Sequence, residues 1–454
     1  MQLVTDEVVR FRGELADRPV TAGATKDDVR VALGGALADA PTPPRQVVEQ
    51  LLAGAAPGLM ATPGPRFFGF VIGGALTSAT AADMLAAGWD QCAFNGVLSP
   101  AASAVEEVAG AWLKDLLGIP SSAAVGFVTG AQAANTVGLA SARHHVLAEV
   151  GWDVELKGLQ GAPRIRVLAG EERHATIDRS LRLLGLGSDA VEPVRSDRNG
   201  AIDVGHLEQL LDDGGSTPTI VSLQAGNVNT GACDDLSTAC DLVHAHNGWA
   251  HVDGAFGLWA AASPRTRHLL DGVELADSWG CDGHKWLNVP YDSAFAFCSR
   301  PRVQVAAMSY TAAYLTGSGA EPGAADYTAE SSRRARGFAV WAALRELGRD
   351  GVAELVDRCC ALARRFAAGL AEAGFEVAND VVLNQVLVSF GDDARTDDVV
   401  QAVQRDGTCW MGATTWRGRR YMRIAVSNHS TTEHDVDRSL AVIVRLAGRG
   451  ESRR

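Results

Sequence analysis

Four short stretches carry residue types that could do chemistry together. In HVDGAFG (251–257) an apolar run ends in Asp253 followed by Gly254, the pattern of a buried strand with a carboxylate at its C-terminal tip. Such a carboxylate could bind a metal, orient a histidine or pair with a protonated ring nitrogen. No HxxE or HxxxH cluster accompanies it, so a metal is the weaker option, and a helix N-cap or turn former stays open. Lys285, in GHKW, falls between that strand and a second apolar run, Ser293 to Cys298. An ammonium held away from water must be paired or deprotonated, which is a reason to expect chemistry at this lysine. FVTGAQAAN (127–135) reads as a strand, a glycine turn at Gly130 and a helix start, where free N–H groups and the helix dipole can cradle a phosphate. It is neither GxGxxG nor GxxxxGK(S/T), which disfavours a dinucleotide or a nucleoside triphosphate; taken alone, an ordinary strand-to-helix turn is the commoner explanation. His174 follows an apolar run and the pair Glu171-Glu172. There it could stack on a planar ligand or move protons, although a lone histidine is more often a satisfied structural one.

The elements that must position these residues read as alternation. Strands are expected at Ala124 to Val128, Ile165 to Leu168, Thr219 to Leu223, Trp249 to Val252 and Ser293 to Cys298. Helices are expected at Gln132 to Glu149, Thr176 to Leu184 and Ser237 to Ala245. This implies an α/β domain with a largely parallel sheet, whose ligand lies outside the strands' carboxyl ends. Gly130, His174 and Asp253 then share one sheet edge, and that coincidence gives each more weight than it has alone.

Residues 1–65 hold two helical patterns, Val4 to Leu15 and Val47 to Leu52, around the turn PTPPR. Having little core of its own, this segment is expected to embrace a second copy of the chain. The large domain runs over 66–310. The stretch 311–330 is rich in Gly, Ala and Pro and reads as a mobile loop of the kind that covers active sites. In 331–454, helices at Phe338 to Leu347 and Val352 to Ala373 precede strands at Gln385 to Phe390 and Tyr421 to Val426 around a helix at Thr396 to Gln404. This is a small C-terminal α+β domain.

With 454 residues, 47% hydrophobic and 21% charged, the composition suits a soluble enzyme. The net charge of −13, with no block of like charge, speaks against nucleic acid or an anionic membrane as partner. Eight cysteines without a CxxC pair read as reduced thiols of a cytoplasmic protein. The charged N-terminus does not read as a signal peptide, and no stretch approaches the ~20 apolar residues of a membrane span.

In order, a phosphate turn, a ring-side histidine, a strand-tip aspartate and a lysine resemble the group II pyridoxal-phosphate-dependent amino-acid decarboxylases. That family includes aromatic-amino-acid, glutamate and histidine decarboxylases and has the fold type I architecture of aspartate aminotransferase. The resemblance runs from about residue 40 to residue 445, and HVDGAFG and HKW carry most of it. It implies pyridoxal 5'-phosphate as cofactor, an L-amino acid as substrate, and a homodimer with active sites at the subunit interface. Lys285, in GHKW where the family usually has PHKW, is similar to the lysine that holds the cofactor covalently. Asp253 is similar to the partner of the pyridinium nitrogen, Ala255 to the small residue under one ring face and His174 to the histidine on the other. Ala131 and Gln132 match the phosphate turn, where serine is commoner than Gln132. His284 matches a histidine near the cofactor, and Asn227 a residue contacting the ring oxygen region.

Tyr314, in AAYL, matches a loop tyrosine that protonates the substrate Cα; where relatives carry Phe instead, the outcome shifts towards oxidative aldehyde formation. Arg423 matches an arginine the wider fold uses near the substrate carboxylate, with a structural ion pair as an equal alternative. The substrate loop departs from the family pattern: Phe70-Val71-Ile72-Gly73-Gly74 lacks a hydroxyl at Gly73, while Phe94 retains an aromatic that packs on the substrate from the partner subunit. The expected reaction is decarboxylation of an aromatic or apolar L-amino acid. An aldolase-type lyase, an aminotransferase or an aldehyde synthase remain alternatives on the same scaffold, and a non-catalytic relative is disfavoured by the intact Lys285, Asp253 and Tyr314.

Overall fold

In the computed structural model, which describes residues 1–310 and 322–448, the apolar runs between 124 and 298 form seven strands. They are β1 (Ala124–Val128), β2 (Arg166–Gly170), β3 (Val191–Val194), β4 (Thr219–Gln224), β5 (Trp249–Asp253), β6 (Ser278–Asp282) and β7 (Ala294–Cys298). Their order in one sheet is β1-β7-β6-β5-β4-β2-β3. β6 through β3 run parallel, and β7 is antiparallel to both β6 and β1. β1 therefore points the same way as the parallel strands. β2, β4, β5, β6 and β7 are buried along their whole length, which is why they read as near-continuous apolar runs.

Register places the chemistry. Gln224 lies opposite Asp253, Asp253 opposite Gly280, and both Asp282 and Val128 opposite Ala294. The tips of β1, β4, β5 and β6 thus share one edge, where open α/β sheets bind ligands.

β3 and β6 were not anticipated from the sequence. β3 is a half-exposed edge strand with a proline, and β6 is interrupted by Gly280. The three expected helices begin one residue early, at Ala131, Ala175 and Leu236. Two further helices, Thr77–Trp89 and Pro100–Leu117, had no clear signature amid their many alanines. The expected pair on either side of residue 350 is present within Gly337–Glu372, two helices parted at Gly348, whose φ of 61° is a conformation open to glycine at little cost.

All seven strands lie in the larger of two units, Ala75–Ala363 with Asn379–Gln385. The smaller comprises Met1–Gly74, Arg364–Ala378 and Val386–Arg454. It is α+β, built on β8 (Glu376–Val377), β9 (Gln385–Ser389), β10 (Gly412–Trp416) and β11 (Arg419–Ala425) in the order β10-β11-β9-β8. Within it the buried Arg66 joins early and late segments. Its guanidinium donates to the Thr408 carbonyl at 2.7 Å and to the Ala16 carbonyl, and it lies 3.4 Å from Asp435.

Candidate active site

β5 delivers Asp253 as its last residue. The carboxylate is buried and accepts the Ala255 N–H at 3.2 Å. Burial pushes its pKa up, against the opposing pull of His174 and Lys285.

β6 delivers a second carboxylate that the sequence reading missed. Asp282 Oδ2 lies 2.9 Å from Lys285 Nζ. Its Oδ1 accepts the Ala131 N–H at 2.6 Å and stands 3.4 Å from His284 Nε2. One buried carboxylate thus faces the lysine, the histidine and the first turn of a helix. The available signal was the shared pattern of HVDG and GCDG, each an apolar run closing on Asp-Gly. Gly280 hid it, and a glycine is needed there because an added Cβ would stand 2.5 Å from Asn135 Oδ1.

The two histidines are held by backbone donors. His284 Nδ1 accepts the Ser293 N–H at 3.2 Å, so the proton of the neutral ring is on Nε2, towards Asp282. Burial lowers its pKa, and its ring lies 4.2 Å from that of Tyr291. His174 caps the helix Ala175–Leu183, with Nδ1 accepting the Thr176 N–H at 3.3 Å and lying 2.8 Å from Thr176 Oγ1. That again leaves Nε2 as the protonated nitrogen of the neutral ring.

Gly130, in extended backbone, opens the helix Ala131–Ala148 without a side-chain cap. Ala131 gives its N–H to Asp282, whereas the N–H groups of Gln132 and Ala133 have no partner among the described residues. The Gln132 side chain turns to the next helix, donating to Ser180 Oγ at 2.8 Å.

Gly130, Gln132, His174, Asp253, Ala255 and Lys285 line a single cavity of about 220 Å³. Ala131, His284 and Asp282 line it too, with Thr176, Gln224 and Gly226, which the sequence did not single out. Asn227 does not line it: the residue is wholly buried, its Nδ2 donates to the Glu172 carbonyl at 2.9 Å and its Oδ1 accepts the Asn229 N–H at 2.9 Å. Phe94 is half-buried, and its carbonyl accepts the Ala325 N–H at 3.0 Å. Phe70, Gly73 and Arg423 belong to the smaller unit. There Phe70 is exposed with φ 57° and stacks on Trp410 at 5.3 Å, Gly73 is buried, and burial lowers the pKa of Arg423. Tyr314 lies outside the described residues.

The donor set fits pyridoxal 5'-phosphate. Unpaired amides at a helix N-terminus suit its phosphate, a buried carboxylate suits its protonated ring nitrogen, and a lysine amine suits its aldehyde. Among the described residues no cluster of His, Cys, Asp and Glu is arranged for a metal ion.

The pyridoxal-dependent decarboxylase conserved domain matches residues 29–391 of the chain. The chain belongs to the pyridoxal-dependent decarboxylases. The decarboxylase is 26% identical over 459 residues to the aromatic-L-amino-acid decarboxylase of Bacillus atrophaeus, covering 97% of this chain and 93% of that protein. It is 23% identical to the phenylacetaldehyde synthase of Arabidopsis thaliana, over 97% of this chain and 94% of that one. In structure it matches Oryza sativa TDC, solved with PLP and tryptamine, at a TM-score of 0.92, covering 99% and 97% of the two chains at 22% identity. The decarboxylase thus has the fold type I architecture, uses pyridoxal 5'-phosphate and is an amino-acid carboxy-lyase. No described helix is long and apolar enough to cross a membrane.

Proposed function

We propose that this decarboxylase removes the α-carboxylate of an aromatic or apolar L-amino acid, releasing carbon dioxide and the amine. The observation that carries the reading is the convergence of Lys285, Asp253, His174 and the first turn of helix Ala131–Ala148 on one cavity. Lys285 binds the cofactor's aldehyde carbon, with Asp282 as counter-ion to its ammonium. Asp253 holds the ring nitrogen protonated. Pyridoxal 5'-phosphate supplies an electron sink for the pair left when the bond from Cα to the carboxylate breaks. His174 and Ala255 flank the ring, Ala131 and Gln132 hold the phosphate with His284 beside them, and Asn227 positions the loop after β4 rather than touching the ring. Tyr314 delivers a proton to Cα, which commits the reaction to the amine.

The aromatic preference is supported by relatives such as the Bacillus enzyme and tryptophan decarboxylase 1 of rice. Substrate binding is assigned to Phe94, and on the family resemblance alone to Phe70, Gly73 and Arg423. The likeness to phenylacetaldehyde synthase favours one second reading, oxidative conversion of the amino acid, water and dioxygen to an aldehyde, carbon dioxide, ammonia and hydrogen peroxide. We place the enzyme in the cytoplasm, in line with eight cysteines all free. We also read it as a homodimer, in line with the exposed Val31, Leu37 and Leu51 of the N-terminal segment.

An amino-acid panel tests the reading. Aromatic substrates are expected to give carbon dioxide and amine in equal amounts without peroxide, and Tyr314→Phe to divert product to aldehyde, ammonia and peroxide. Turnover of glutamate alone would refute the substrate class, and peroxide from the unaltered enzyme would favour the second reading.

A further inference from the structure

Behind the cavity lies a layer of polar groups that the chemistry above leaves unused. His251 precedes Asp253 by two residues on β5, so both side chains are on one face of the sheet. Its ring is fully buried, with Nε2 3.1 Å from Asn135 Oδ1 and Nδ1 2.8 Å from Ser278 Oγ. The same Oγ accepts the Trp249 indole N–H at 2.9 Å. The Asn135 Oδ1 can only accept, so the ring proton is on Nε2 and is donated to Asn135. Nδ1 then accepts from the Ser278 hydroxyl, which itself receives from the Trp249 indole. Burial pushes the pKa down to about 3, which keeps the imidazole neutral in this one tautomer.

Each member of the chain underlies a group of the site. Asn135 follows Ala131 by about one helical turn, and Ser278 precedes Asp282 by four residues on the same face of β6. Two glycines permit the close approach: an added Cβ on Gly138 would stand 2.6 Å from the His251 ring, and one on Gly280 2.5 Å from Asn135 Oδ1. Asn135 Nδ2 has no partner among the described residues, so the bond from His251 is what orients this amide.

We infer that His251 is a positioning residue of the cofactor site, fixing the first turn of helix Ala131–Ala148 relative to Asp253 through its Nε2–H bond to Asn135. The inference rests on the reading of Ala131 and Gln132 as the phosphate turn. A glutamine can replace the Nε2 donor, whereas an asparagine reaches only the Nδ1 position.

The test compares apo-protein of the unaltered chain, His251→Gln and His251→Asn. Two quantities are read: the dissociation constant for pyridoxal 5'-phosphate, and hydrogen exchange of the 130–136 backbone without cofactor. His251→Asn is expected to weaken cofactor binding about tenfold or more and to speed exchange, with His251→Gln close to the unaltered chain in both. Equal behaviour of the two variants, or a common loss of melting temperature with unchanged exchange, would overturn the inference. Failure of the unaltered chain to bind the cofactor would count against the phosphate-turn reading, while the exchange comparison still decides the role of His251. If the His251 variants do not fold, Asn135→Ala removes the other partner of the same bond and is read by the same exchange.

Discussion

Lys285 and its two carboxylates divide the work at the residue scale. Asp253 is buried where it lines the cavity and accepts the Ala255 N–H, so its charge is available to a ring nitrogen. Asp253→Asn keeps the shape and removes the charge; kcat is expected to fall by on the order of 10²-fold or more, read by carbon dioxide release at saturating cofactor. Asp282 serves the resting site: it pairs with Lys285 and takes the Ala131 N–H. Asp282→Ala leaves both unsatisfied and is expected to lower the stability of the apo-protein by about 1–3 kcal/mol, read by urea unfolding. Gly130, His174, Asp253 and Lys285 were legible because each closes or follows a recognisable run. Asp282 was not, since Gly280 breaks its strand's pattern for a reason, the approach of Asn135, that exists only in three dimensions.

At the scale of elements, the turn that offers its amides to a phosphate is only as fixed as the strand feeding it. Arg333 donates to the Phe127 carbonyl, next to the last residue of β1, at 2.9 Å and pairs with Glu106 of helix Pro100–Leu117 at 3.0 Å. The guanidinium is 1% exposed and the carboxylate 6%. Burial raises the pKa of Glu106, with Arg333 opposing. Glu106→Ala strands the guanidinium without a counter-charge and is expected to cost about 3–5 kcal/mol, read as a lower urea midpoint; an unchanged midpoint would show that the pair anchors nothing. Neither residue had a sequence signal, because a charge pair 227 positions apart leaves no periodic trace. The central strands were legible for the opposite reason: burial on both faces writes itself as an unbroken apolar run.

Across the whole molecule, buried titratable groups tie stability to pH. Folded His251 stays neutral down to about 3, while the unfolded chain takes up a proton near the ordinary value of 6.5. Between those values the unfolded state binds one more proton, so falling pH favours unfolding by about 1.4 kcal/mol per pH unit for this group. His251→Gln removes that contribution. Its melting temperature is expected to fall less than that of the unaltered chain between about pH 6 and about pH 4.5; parallel curves would show that His251 does not titrate on unfolding. The α/β class was readable from alternation, but the strand order was not. β1 and β7 are neighbours although even their nearest paired residues, Val128 and Ala294, are 166 positions apart in the chain, and such pairing is set by tertiary contacts.

The central claim is that Lys285 carries the cofactor. Borohydride reduction of the enzyme loaded with pyridoxal 5'-phosphate, followed by peptide mapping by mass spectrometry, tests it most directly. The expected result is a phosphopyridoxyl group on the peptide containing Lys285 and none in Lys285→Ala. Label on another lysine, or no label in protein that binds the cofactor, would contradict it.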